Sequence, residues 1–182
     1  MENWVYDQST IRNIAKHHLT GDPLPNDMFE KVLAAKNFQA GRNLLHQVHL
    51  AALDLALHSQ YDPLNSQQSA MQFLHGDDCW ANRYLYQPQH SADKSLCSFN
   101  HIFTGGYAAG YYSYLWAEVM SADAFSSFQE ADSDSAIDEL GVRFRDTVLA
   151  QGGECSASQV FRDFKGRDTN PAALLRERGV SK

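Results

Sequence analysis

The sequence predicts an all-α fold. Apolar residues recur at helical spacing through most of the chain, strand-like alternation never persists beyond a few residues, and glycine and proline signals fall where the periodic runs stop. Residues 2–19 hold Trp4, Ile11, Ile14, Ala15 and Leu19 at near-helical spacing and end in Gly21-Asp22-Pro23-Leu24-Pro25, a glycine followed by prolines that closes a helix. Asn26 can cap a second helix through Phe29, Val32, Leu33 and Ala35; Gly41 marks a break, after which Leu44, Val48, Ala52 and Leu55 extend the pattern to His58. Between residues 60 and 96 the periodicity weakens, with one short helix expected near 66–75; Trp80, Tyr84 and Tyr86 make this least regular segment unlike a solvated linker. Residues 107–130 read as helix again, as do Ser135 to Ala150, closed by Gly152-Gly153. Ser156 with Gln159 fits a capping box for a short helix ending at Gly166, and Asn170-Pro171 with Gly179 brackets the last one. No repeat of fixed period is present, and residues 1–182 read as one helical domain.

Composition narrows the function classes. Fifteen basic against 22 acidic side chains leave a formal charge of −7, with no basic cluster of the kind that neutralises phosphates, so a nucleic-acid partner is not expected. No apolar run approaches the roughly 20 residues that span a bilayer, and Met1-Glu2-Asn3-Trp4 is neither basic nor apolar, so neither a membrane partner nor a signal peptide is expected. Cys79, Cys97 and Cys155 are odd in number and far apart, which reads as reduced thiols in a cytoplasmic protein.

The most unusual stretch runs from Phe99 to Glu118. On a continuous helix Tyr107, Tyr111, Tyr114 and Glu118 would share one face, with Ala108, Tyr112, Leu115, Val119 and Ala122 as a neighbouring packing stripe. Buried phenols need hydrogen-bond partners, so three tyrosines on one face suit the wall of a wet cleft. Gly105-Gly106 ahead of them permits close approach of a ligand backbone, unusual φ/ψ or hinge movement; a plain turn with surface-packed tyrosines accounts for the same spacing. Elsewhere His46 and His49 share a helical face and Asp54 with His58 forms an i, i+4 pair, but a metal site needs three or four converging ligands and periodicity supplies two at a time. None of the eight histidines is followed by glutamate, so H-E-x-x-H is missing, as are a P-loop, G-x-S-x-G and C-x-x-C.

The run His101-Ile102-Phe103-Thr104-Gly105-Gly106-Tyr107-Ala108-Ala109-Gly110-Tyr111-Tyr112-Ser113-Tyr114 resembles a signature of the thimet oligopeptidase family of zinc metallopeptidases, the family that also holds oligopeptidase A and peptidyl-dipeptidase. Met1-Glu2-Asn3-Trp4, Asp54-Leu55-Ala56-Leu57-His58, Ser121-Ala122-Asp123-Ala124-Phe125, Gly152-Gly153, Phe164-Lys165-Gly166-Arg167 and Ala173-Leu174-Leu175 also fit, in order. The family's Gly-Arg-x-Pro pattern reads Gly166-Arg167-Asp168-Thr169 here, with proline displaced to Pro171. The resemblance implies a zincin-like peptidase in which H-E-x-x-H and a later glutamate bind zinc, in a channel between two helical halves. This chain would begin after those ligands and furnish the opposite wall, as the C-terminal part of a larger catalytic domain. By resemblance Tyr114 would donate its phenolic O–H to the developing oxyanion with help from Tyr107, His101 and Tyr111 would contact the peptide backbone, and Gly105 and Gly106 would let the loop close. Short peptides are the implied substrates and zinc the cofactor of the full-length family, with none expected bound by this chain and the isolated chain expected inactive. Its missing N-terminal half is the implied partner, and exposure of the channel wall favours self-association as a homo-oligomer. The competing reading is a non-catalytic peptide- or partner-binding module.

Overall fold

The computed structural model describes residues 2–76, 79–90 and 92–181; Met1 of the N-terminal motif lies outside them. Among the described residues the chain is helical, without a strand, and contains an isolated antiparallel bridge between Lys16 and Pro23. The α-helices are α1 (Gln8–Ile14), α2 (Asn26–Asn37), α3 (Ala40–Gln60), α4 (Ala70–His75), α5 (Ser95–Ser98), α6 (Ser113–Gln129), α7 (Asp134–Phe144), α8 (Ala157–Lys165) and α9 (Ala172–Glu177). Short 3₁₀ helices cover Glu2–Tyr6, Trp80–Tyr84 and Asn100–Ile102, and a π-helical turn, Arg145–Leu149, prolongs α7. No described helix is long and apolar enough to cross a membrane.

Local chemistry explains most boundaries. Asp7 caps α1 by accepting the Thr10 N–H, and Ser69 caps α4 in a full capping box with Gln72. Ser156 accepts the Gln159 N–H at the start of α8, but the Gln159 side chain turns to Asp163 instead of completing the box. Gly166 ends α8 at φ 80°. Asn170 takes the Ala172 N–H, and Pro171 occupies the N-cap of α9. Two boundaries differ from the periodicity. The break expected at Gly41 lies at Phe38–Gln39, where Gln39 has φ 54°. Residue 107 is irregular and 108–112 are turn, so α6 starts only at Ser113.

The chain divides into two compact units, residues 1–40 with 118–182 and residues 41–117, the divisions falling inside α3 and α6. In the first unit Trp4, Phe125, Phe128, Phe144 and Phe164 form a chain of ring contacts. Buried beside Ala122, the Asp123 carboxylate takes a bidentate pair from Arg167 at 2.7 and 2.8 Å and the Asn170 N–H at 2.8 Å. The displaced proline therefore leaves Arg167 with a defined anchoring role. In the second unit Ala52, Leu53, Ala56 and Leu57 of α3 pack with Leu74, Cys79, Ala81, Phe99 and Ile102, and Tyr111 rests against this core.

Candidate functional site

The site belongs to the second unit and is built on a chain of backbone turns. Residues 100–102 form a 3₁₀ turn that presents His101, whose carbonyl accepts the Tyr107 N–H at 3.1 Å. A Cβ on Gly105 would meet that same carbonyl oxygen at 2.9 Å, so only glycine fits this return of the chain. Gly106 follows at φ 79°. Both glycines thus have an intramolecular reason. Tyr107 then opens a further turn, accepting the Gly110 N–H at 2.8 Å, and Ala109 takes the left-handed conformation at φ 55° despite its Cβ.

Asp54 of α3, fully buried, holds that turn. Its Oδ1 accepts the Ala109 N–H and its Oδ2 the Tyr111 N–H, each at 3.0 Å. His58 Nδ1 lies 2.9 Å from Oδ1. The expected helix from residue 107 is therefore replaced by a turn whose amides are satisfied from a distant helix. Of the four residues read as one helical face, Tyr114 and Glu118 are helical, and Glu118 pairs with Arg178 within the first unit. Ala108 and Tyr112, assigned to the packing stripe, precede the helix and are exposed.

The turn nevertheless brings the rings together. Tyr107 and Tyr114 stack at 5.3 Å between centroids, Tyr111 lies 5.1 Å from Tyr114, and the His101 ring sits 6.0 to 6.2 Å from all three. Tyr107 and Tyr114 are 38% and 40% exposed, while Tyr111 is half-buried against Phe99. Tyr111 donates its hydroxyl proton to Gln47 Oε1 at 3.1 Å, which leaves it oxygen lone pairs to offer a ligand. Burial raises the Tyr111 phenol above its ordinary value, against the opposing bond to Gln47. The Tyr114 phenol is raised chiefly by its hydrogen bond with the Tyr107 phenol alongside, so the Tyr111 and Tyr114 phenols stay protonated at neutral pH. The cluster combines neutral phenols, an exposed imidazole and an open face.

Sequence reasoning missed Gln47 and the clamping role of Asp54. A carboxylate embedded among Ala51, Ala52, Leu55 and Ala56 was the available signal, since an unpartnered buried charge is costly. The weaker histidine pair does not converge: His46 is exposed, whereas His49 is buried with Nδ1 on the Ala81 carbonyl at 3.1 Å. Among the described residues no group of three or more His, Cys, Asp or Glu side chains could hold a metal ion.

An all-α chain that gathers histidine and three tyrosines behind a paired glycine turn falls within a known class. Residues 1–180 match the model of Peptidase family M3, and the chain belongs to that family. Among its relatives, the probable cytosolic oligopeptidase A of Arabidopsis thaliana is 47% identical over 182 residues, covering 99% of this chain and 25% of that protein. The organellar oligopeptidase A of the same plant is 46% identical, covering 99% and 22%. Oligopeptidase A of Haemophilus influenzae is 39% identical over 189 residues, covering 99% and 26%. The chain thus spans about a quarter of the length of these curated relatives. The family is zinc-dependent, but the described residues do not fit a zinc centre, since a zinc site needs three or four converging ligands and no such group is present among them.

Proposed function

We propose that this chain is the substrate-contacting portion of an M3 peptidase that hydrolyses short peptides, part of a larger catalytic domain. Tyr114 donates its O–H to the oxyanion that develops on the scissile carbonyl, and Tyr107 stacks on it and supports its orientation. A phenol suits this task because it is neutral at pH 7, carries one donor and is held at the first turn of a helix. His101 and Tyr111 contact the peptide backbone, Tyr111 as an acceptor because its proton is engaged by Gln47. Gly105 and Gly106 shape the loop that approaches the substrate. The observation that carries this reading is the convergence of four rings within 5.1 to 6.2 Å on an exposed face. The names of its relatives, oligopeptidases A, support short peptides as the substrate class.

The chain alone is expected to be silent in hydrolysis, because a donor to an oxyanion does nothing until a nucleophile creates one. The decisive experiment combines zinc analysis, a fluorogenic peptide assay and peptide binding by the 182-residue chain. Expected are no stoichiometric zinc, no turnover, and weak peptide binding that His101→Ala and Tyr111→Phe reduce. Stoichiometric zinc with hydrolysis by the isolated chain overturns it.

Exposed Phe103, Tyr112 and Trp116 beside the tyrosine cluster favour a second reading, a module that binds a peptide or a partner without catalysis. The same surface supports docking of the missing N-terminal part and self-association of the isolated chain. Light scattering at high concentration checks the latter, a monomer counting against it. A cytoplasmic location fits the cytosolic relative, while the organellar relative shows that other compartments occur among such proteins.

A further inference from the structure

We infer that Asp54 is a positioning residue for the tyrosine cluster: by receiving the Ala109 and Tyr111 N–H groups it holds the turn that aims Tyr107, Tyr111 and Tyr114 at one another. The inference rests on the reading of this cluster as the peptide-contacting face, and deepens it. Two facts make the clamp necessary. Ala109 sits at φ 55°, a conformation that an L-residue with a Cβ leaves unless its surroundings hold it. Tyr107 O, which in a continuous helix would take the Tyr111 N–H, is instead bonded to the Gly110 N–H at 2.8 Å, so the Tyr111 amide needs another acceptor. The Asp54 carboxylate supplies both acceptors from one fully buried group, at 3.0 Å to each amide.

The clamp is specific in its geometry. The two amides are separated by a single residue, and a carboxylate is short, planar and able to take one N–H on each oxygen. Asn at this position keeps the shape but turns an NH₂ toward one amide. The α3 stem that carries Asp54 is rigid, since Leu53, Ala56 and Leu57 around it are core residues. His58 Nδ1 lies 2.9 Å from Oδ1 and 2.9 Å from the Asp54 backbone carbonyl oxygen, one turn along the same helix. Asp54 touches no substrate in this scheme. It acts through the backbone, on the placement of rings that do.

The test uses isotope-labelled 182-residue chain and fluorescein-labelled octaalanine as the peptide probe. In the unsubstituted chain the Ala109 and Tyr111 amides should exchange slowly, as helix amides do, and the Tyr107 and Tyr114 rings should show mutual cross-relaxation. Asp54→Asn should abolish both signals and weaken octaalanine binding at least tenfold with the circular dichroism unchanged, while the exposed control Asp62→Asn does neither. Ala109→Val leaves Asp54 intact and places a β-branched residue at the left-handed position; it should release the same rings, and it serves if Asp54→Asn does not fold. Fast exchange of the two amides in the unsubstituted chain, or persistent cross-relaxation between the rings in either folded variant, overturns the inference. Disappearance of the ring cross-relaxation with octaalanine binding unchanged supports the clamp and overturns the peptide-contacting reading instead, so the two failures are distinguishable.

Discussion

Tyr114 is the residue on which the proposed chemistry turns. If the proposed role holds, Tyr114→Phe in a full-length peptidase carrying this chain would remove one oxyanion donor while preserving the ring stack, so kcat should fall by about 10²–10³ with little change in KM, measured on a short fluorogenic peptide. Tyr111→Phe should cost less, because the Tyr111 proton already goes to Gln47 and is not available to an oxyanion. The raised phenol of Tyr114 adds a sign: its proton is lost only above the ordinary tyrosine value near 10, so no activity decline between pH 7 and 9 should trace to it. A decline in that range that disappears in Tyr114→Phe would contradict the assignment. Gly105 is a second kind of residue, essential for space rather than chemistry. Its alanine variant places a Cβ 2.9 Å from the His101 carbonyl oxygen and should destabilise by about 1–3 kcal/mol in urea denaturation, with the His101 ring displaced.

Elements reveal what the sequence could and could not disclose. The α8 helix was legible from both ends, since Ser156 and Gly166 are local signals whose partners lie within a turn. Ser156→Ala should therefore cost about 0.5–2 kcal/mol by thermal or urea unfolding. The last helix was equally readable from Asn170, Pro171 and Gly179. The stretch 107–112 was not: its spacing satisfies a helix, and the reason it forms none is a carboxylate 55 and 57 residues away that takes two of its amides. Periodicity cannot register a bond of that range. Even so, the residues chosen as a tyrosine face do meet, because a turn closed by Gly105 and Gly106 returns Tyr107 to the first turn of α6. The candidate site was thus legible by composition and order, while its backbone was not. The π-helical end of α7 left no trace in the pattern either, as Val148 still falls in step with Phe144.

At the scale of the whole molecule the two units carry different ionisable supports, and acid should therefore affect them at different pH values. In the second unit His49 is buried, and burial, its main influence, depresses its folded value below the ordinary 6.5 despite the bond to the Ala81 carbonyl. The unfolded chain then binds that proton first, so this unit loses stability as pH falls below about 6.5. In the first unit Asp123 is buried too, but the Arg167 pair and the Asn170 N–H outweigh the upward push of burial and hold it below its ordinary 3.8. Its contribution is complete above that value and is lost only as pH falls further, toward the folded value. Tryptophan separates the two events, since Trp4 belongs to the first unit and Trp80 and Trp116 to the second. Single-tryptophan variants titrated from pH 8 to 2 should report the second unit losing stability as pH falls below about 6.5 and the first only as pH falls below about 3.8. His49→Gln should flatten the upper transition and leave the lower one in place. Arg167→Ala should destabilise the first unit by about 1–3 kcal/mol at pH 7, tempered because the guanidinium is 48% exposed, and move its acid transition upward. A single coincident transition for all three reporters, unmoved by His49→Gln, would show that these buried groups do not set the acid response of the molecule.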